Sequence, residues 1–267
     1  MELSNITREY LAKLFSQEKR FDGRALSEYR DLEISFDVSN KAEGSVRVKL
    51  GKTDVVVGIK LGVGEPYPDS PDKGNLMCTG ELLPLASPDF ESGPPSFQAI
   101  ELGRLVDRAI RESGMIDLSE LVITPGEKVW TVFVDVYPIN DDGNLIDVAS
   151  IAAMLALKNA KMPAIDKEGK IDYENKKGSL PLSKETAPLS LSFFKLGDSI
   201  ILDPTREEES ACEGRITFGV SKWNKQYMTN ACQKAGKLPF SQEEIEKITE
   251  LMPKKFDELS EKLKKYL

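Results

Sequence analysis

The amino-acid sequence predicts an α+β fold made of two similar units packed together. Three observations carry this. Residues 32–61 alternate apolar and polar side chains at the period of a β-strand and are broken by tight turns. Residues 97–113 repeat their apolar side chains at helical spacing. The stretch from Ile146 to Ala160 is apolar nearly all round, as a helix buried between two layers must be. Further strands and helices follow, although no internal repeat is visible.

Taken in order, Ile6, Tyr10 and Leu14 predict an N-terminal helix starting near Ser4. Beyond Phe21-Asp22-Gly23-Arg24 the period becomes two: Leu32, Ile34, Phe36 and Val38 alternate with polar residues, as do Val46, Val48 and Leu50. A turn at residues 51–54 leads into Val55–Leu61, a nearly continuous apolar run suited to a central strand. These strands read as an antiparallel sheet built from hairpins. Residues 62–96 are rich in Gly and Pro and predict a long loop with one short strand near Leu82–Leu85. After the helix at 97–113 come strands at Leu121–Thr124 and Val129–Tyr137, a turn at residues 140–144, and the buried helix.

Residues 166–179 are polar and predict a hairpin excursion. Strands resume at Leu189–Phe194, Ser199–Leu202 and Arg215–Val220. Ser241 and Glu244 match a capping box for a helix from about Gln242, and Pro253 is expected to kink that helix or to start a second one over Lys254–Tyr266. The organisation is therefore an N-terminal helical extension (1–22), a first half (23–185) and a second half (186–267). No stretch is rich enough in Gly, Ser or Pro to separate them, so they read as one compact unit.

Thirty-six basic and 44 acidic residues give a net charge of −8, which argues against general coating of nucleic acid but leaves room for a local basic patch. No apolar run approaches the length of a membrane span and the N-terminus lacks a signal-peptide core, so the sequence predicts a cytoplasmic protein without a membrane partner. There is no histidine, which removes Ser-His-Asp triads, Cys-His pairs and His-ligated zinc from the chain's own repertoire. Cys78, Cys212 and Cys232 are far apart and read as free, packing thiols. Catalysis would have to use carboxylates, Lys, Tyr or a borrowed partner.

Four features could carry chemistry. The glycine-rich Gly58–Gly64 stretch, GIKLGVG, matches no phosphate-binding fingerprint and reads as a turn. The acidic run Asp203–Glu209, DPTREEE, follows an apolar strand. Its two end carboxylates could act as acid and base or hold a divalent metal, but a solvated acidic loop, partly neutralised by Arg206, is the commoner role of such a run. Trp130, Phe133 and Tyr137 could stack bases, but sheet packing is the commoner role. On the helix at 97–113, Leu102, Leu105, Val106, Ala109 and Ile110 form one stripe, with Arg104, Arg108 and Arg111 opposite. The arginines are either a solvated face softened by Glu101, Asp107 and Glu112, or a rail for an anion such as a phosphate backbone.

Four segments together resemble the RNase PH family: Phe21–Arg24 (FDGR), Gly44–Lys60 (GSVRVKLGKTDVVVGIK), Ile100–Ser113 (IELGRLVDRAIRES) and Trp130–Leu157 (WTVFVDVYPINDDGNLIDVASIAAMLAL). The likeness runs from about Phe21 to the C-terminus. It is closest to the non-catalytic branch found in archaeal exosomes, which shares the N-terminal helix and the form of Ile123–Gly143. The resemblance implies an RNase PH-like fold of two related βαβ-type halves with mixed and antiparallel sheets and packed helices. It also implies a hexameric ring, a trimer of heterodimers, in which this chain alternates with a catalytic RNase PH-like partner. Single-stranded RNA threads the ring, and RNA-binding cap subunits can sit on it.

Active members of the family use phosphate to attack the terminal phosphodiester of RNA, and bind it with an adjacent arginine pair before the IEL of the helix. Here those positions hold Phe97 and Gln98. Gathering two anions requires positive charge, so the loss of both arginines costs on the order of a few kcal/mol of attraction. The family's two catalytic carboxylates correspond to Asp203 and, one methylene longer, Glu209. The branch's RNA-contacting arginines correspond to Arg104 and Arg108, with Arg111 a weaker candidate on the same stripe. The resemblance thus implies a non-catalytic subunit, without cofactor or metal, that binds RNA backbone and helps to structure its partner's active site. The alternative is a self-sufficient phosphorolytic exoribonuclease forming a homohexamer.

Overall fold

The computed structural model describes residues 3–165, 170–183 and 186–266. Helix α1 (Asn5–Ser16) opens the chain, capped by the side chain of Ser4. It buries Leu11 and Phe15 in a small cluster with Phe194, Leu196, Ile201 and Ala211, so the N-terminal extension packs on the second half.

The first sheet holds β1 (Leu32–Phe36), β2 (Gly44–Leu50), β3 (Thr53–Gly64), β4 (Asn75–Gly80), β5 (Val122–Thr124) and β6 (Lys128–Asn140). Its order is β1-β2-β3-β6-β4, with β5 pairing on β6, and every pairing is antiparallel except β4 with β6. Val46, Val48, Val55, Val57, Ile59, Val132, Val134 and Val136 alternate onto the core face and are fully buried. Two helices cover that face, α2 (Phe97–Glu112) and α3 (Leu145–Asn159).

Helix α3 is buried at every position from Ile146 to Leu157 and packs on β2 and β3 on one side and on β9 (Leu189–Leu196) on the other. Its close approach to β2 depends on Gly44. A Cβ there would meet the Ala156 carbonyl oxygen at 2.5 Å and the Ala160 backbone at 2.7 Å. Between the two sheets, β7 (Lys161–Ile165) and β8 (Ile171–Ser179) form the expected hairpin, whose tip lies outside the described residues, as does the expected boundary at residue 185. The second sheet runs β10-β9-β11-β12, with β10 at Ser199–Leu202, β11 at Gly214–Trp223 and β12 at Gln226–Gly236. Helices α4 (Arg206–Ala211) and α5 (Gln242–Leu263) complete this half.

Several elements differ from expectation. The short strand before α2 is Asn75–Gly80, and Leu82–Leu85 is a turn around Pro84; the strand gains its ladder by lying parallel to β6, which its own sequence does not signal. The glycines of GIKLGVG lie within β3 rather than in a turn, since pairing with β2 and β6 outweighs the weak strand preference of glycine. Pro253 neither ends α5 nor starts another helix. Ile248, Met252, Phe256, Leu259 and Leu263 are buried along one stripe across it, and that packing outweighs a proline cost of ~3 kcal/mol. The glutamates of DPTREEE lie on α4, not in a loop: Thr205 and Glu208 form a capping box. Strand β12 carries too few alternating apolar residues to announce itself. Of the three strand aromatics, Trp130 is buried, while Phe133 and Tyr137 are only partly covered.

Candidate functional site

The start of α2, the turn before α3 and the start of α4 meet around a cavity of about 300 Å³ between the two halves. Gln98, Glu101, Asp89, Asp141, Arg206, Glu209 and Arg215 are among its lining residues. Ser96 caps α2 by accepting from the Ala99 N–H, which sets Gln98 toward the cavity, while Phe97 lies 79% exposed to solvent. Phe97 and Gln98 therefore part company: one lines the cavity and the other leaves it.

Six charged side chains line this cavity, and neither cation is unpaired. Arg206 is held by Asp89, and Arg215 Nη2 donates to Glu101 Oε1 at 2.6 Å. The remaining carboxylates, Asp141 and Glu209, tip the lining toward net negative charge. Burial pushes the Glu209 carboxyl above its ordinary range, against the Asn144 N–H that donates to Oε2 at 2.7 Å, and the neighbouring Asp141 pushes it further. Burial raises Asp141 as well, against the N–H of Gly143. Both carboxyls thus hold protons more tightly than free ones. A phosphate dianion placed here would meet carboxylates and no free cation.

The six-residue spacing brings only Glu209 to the cavity. Asp203 is fully buried behind it in an arginine knot. Arg30 donates from Nη2 to Oδ1 (2.7 Å) and from Nε to Oδ2 (2.9 Å), and its backbone N–H adds a third bond at 2.8 Å. Arg24 Nη1 (3.0 Å) and Asn144 Nδ2 (3.0 Å) complete the set. Arg20 closes the neighbouring pair with Glu208 and also donates to the carbonyls of Leu202 and Asp203. The arginine of FDGR and the two around it thus anchor the DPTREEE segment. Gly143 allows the approach, because a Cβ there would meet the Pro204 carbonyl oxygen at 2.5 Å. This knot was not legible in sequence: its arginines lie more than 170 positions from Asp203 and nothing local pairs them.

The three arginines of α2 are not equivalent. Arg104 is exposed and makes no hydrogen bond or ion pair among the described residues. Arg108 is half-buried and donates to Gln233 Oε1 on β12 at 3.2 Å. Arg111 is drawn away from the stripe: it donates from Nε and Nη2 to Asp107 and from Nη2 to the Leu76 carbonyl, and lines a separate groove at the far end of the helix. Helical spacing placed all three on one face, but the i−4 aspartate that redirects Arg111 acts through a contact that periodicity does not weigh.

Two sheets of unequal size, each faced by helices, with a cavity at the junction of their loops, define the RNase PH class of α+β fold. Comparison with known proteins agrees. Residues 28–163 match the model of the 3′ exoribonuclease family, domain 1, and residues 186–254 match domain 2. An exosome complex component Rrp42 from Thermococcus onnurineus is 44% identical over 98% of this chain and 95% of that protein. The Archaeoglobus fulgidus protein of the same description is 47% identical over 82% of each. Among solved structures, a chain of the Archaeoglobus fulgidus exosome with RNA bound to the active site superposes with a TM-score of 0.89 at 42% identity, covering 97% of this chain and 98% of that one. An archaeal exosome core chain gives 0.84 at 38%, covering 97% of each. Rice Rrp46, at 18% identity and a TM-score of 0.64, shares the fold. The chain belongs to the RNase PH family of 3′ exoribonucleases. No helix among the described residues is long and apolar enough to cross a membrane.

Proposed function

We propose that this chain is a non-catalytic subunit of an archaeal-type exosome ring, in which it alternates with a catalytic RNase PH-like partner and lends that partner RNA-binding charge. The observation that carries the reading is the cavity's lining: Phe97 points out, Gln98 is neutral, and both arginines are already neutralised by carboxylates. Phosphorolysis must hold inorganic phosphate against an RNA phosphodiester, and such a lining opposes both. The likeness to proteins described as exosome components supports the ring context.

The contribution to RNA is assigned to Arg104, which makes no hydrogen bond or ion pair among the described residues, with Arg108, bonded only to the neutral Gln233, beside it and Arg111 a lesser contributor. A guanidinium free of internal partners can bond a phosphate without first breaking an ion pair. Such contacts add affinity and register without reading sequence, which suits a machine that degrades many RNAs. RNA-binding cap subunits on the ring and a cytoplasmic setting are part of the same reading.

The test is phosphate-dependent shortening of a single-stranded RNA by the purified chain. The chain alone is expected to leave the RNA intact, and a coexpressed complex with the catalytic partner to degrade it. Robust degradation by the chain alone would favour the homohexameric exoribonuclease instead.

A further inference from the structure

Phe97 is the first residue of α2, and neither the helix nor the core needs an aromatic there. Ser96 makes the cap by accepting from the Ala99 N–H, and the inward stripe runs from Ala99 through Leu102, Leu105, Val106 and Ala109 to Ile110. Phe97 is 79% exposed and makes no ring contact among the described residues, and Ile100, one turn on, is 51% exposed. A large aromatic held out in water at the start of a rigid helix has a face free to stack.

The outer face of α2 sets this side chain in line with cations. At about 100° per residue, Phe97, Arg104 and Arg108 fall within about 40° of one another. At a rise of ~1.5 Å per residue, Arg104 lies ~10 Å beyond Phe97 and Arg108 ~6 Å further on. The carboxylates that could mask these cations are engaged elsewhere, since Glu101 holds Arg215 and Asp107 holds Arg111. Arg104 makes no hydrogen bond or ion pair among the described residues, and Arg108 bonds only to the neutral Gln233. The face therefore presents one aromatic and then two cations without carboxylate partners. Single-stranded RNA carries the matching surfaces in one ligand, a base with a π face and then phosphates. Stacked nucleotides rise ~3.4 Å each, so Phe97 and Arg104 stand about three nucleotides apart. A protein covering the same face would need both an apolar pocket and well-placed carboxylates.

We propose that Phe97 is a stacking platform for a base of the single-stranded RNA whose backbone Arg104 holds. This rests on the ring-subunit reading, which assigns Arg104 to RNA, and it adds a contact that grips a base where the arginines grip phosphate. Every base has a π face, so the platform accepts any RNA, with a bias toward the purines that stack best.

Fluorescence anisotropy of a labelled oligoadenylate tests it, on the complex coexpressed with the catalytic subunit. Phe97→Ala is expected to weaken binding by about tenfold, the loss of one stacked base, and to leave the slope of log affinity against log salt unchanged, because stacking releases no counterion. Phe97→Leu, apolar without a π face, is expected to bind as weakly as Phe97→Ala. Phe97→Trp is expected to restore binding, and its added indole fluorescence to be quenched by RNA beyond any change in the parent complex. The exposed position lets all three variants keep the fold of the lone chain, as checked by circular dichroism. Unchanged affinity in Phe97→Ala, or full recovery in Phe97→Leu, overturns this inference, and the ring reading stands as long as Arg104→Glu still weakens binding. Dissociation of the Phe97→Ala complex on gel filtration would make Phe97 a protein contact and overturn the inference as well. A parent complex that binds no RNA overturns both readings.

Discussion

Asp203, expected from the sequence resemblance to match a catalytic carboxylate, has the surroundings of a structural one. Five donors from Arg24, Arg30 and Asn144 reach its oxygens, and it is wholly buried. Removing one member of such a knot leaves buried charge uncompensated. Asp203→Ala is therefore expected to destabilise the chain by ~3–5 kcal/mol in urea unfolding, whether or not RNA is present. Asp147, in the first turn of α3, is the opposite case. It is fully buried without a cationic partner: the Ser192 N–H donates to Oδ2, and the neutral side chains of Tyr29 and Asn144 lie beside it. Burial drives its pKa up to about 7, against the help of Ser192. The folded state thus binds this proton more tightly than the unfolded one, so stability is greatest below the unfolded carboxyl pKa and falls as pH rises toward 7. Asp147→Asn is expected to flatten that fall, gaining about 3 kcal/mol over the parent at pH 8 relative to pH 4, in melting curves taken across the range. An unchanged pH profile would mean that Asp147 is ionised in the fold at little cost.

At the scale of elements, the sequence shows most plainly whatever has a period. The alternating strands β1 to β3, the all-apolar α3, and the caps of α1 and α5 follow from side-chain spacing and a few hydroxyl or carboxyl groups. What depends on a distant neighbour does not show. Strand β4 exists because β6 lies beside it, β12 because β11 does, and α5 runs through Pro253 because its apolar stripe is buried along its whole length. The candidate site divides in the same way. Phe97-Gln98 and the polar stripe of Arg104, Arg108 and Arg111 can be read from the chain, whereas which arginines are paired, as Arg206, Arg215 and Arg111 are, and that Arg104 is not, needs the fold. One element-level contact is open to direct test. Gly44→Ala places a methyl 2.5 Å from the Ala156 carbonyl oxygen and must push β2 from α3. A loss of about 1–3 kcal/mol is expected by denaturant titration.

Over the whole molecule, net charge and local charge point in different directions. A chain of net −8 offers RNA only the places where cations stand unpaired, and on α2 these are Arg104 and, bonded only to the neutral Gln233 among the described residues, Arg108. The cavity between the two halves is lined by more carboxylates than cations, while the helix that borders it keeps a cation on its outer face. The proposed division of labour between neighbouring subunits accounts for both facts. The most direct measurement compares two variants of this chain within the assembled ring, following phosphate-dependent degradation of a single-stranded RNA as a function of salt. Arg104→Glu is expected to lower kcat/KM by about tenfold and to reduce the slope of log affinity against log salt by roughly 0.7, one phosphate contact. Glu209→Gln is expected to leave the rate unchanged. Loss of activity with Glu209→Gln, or indifference to Arg104→Glu, would contradict the account.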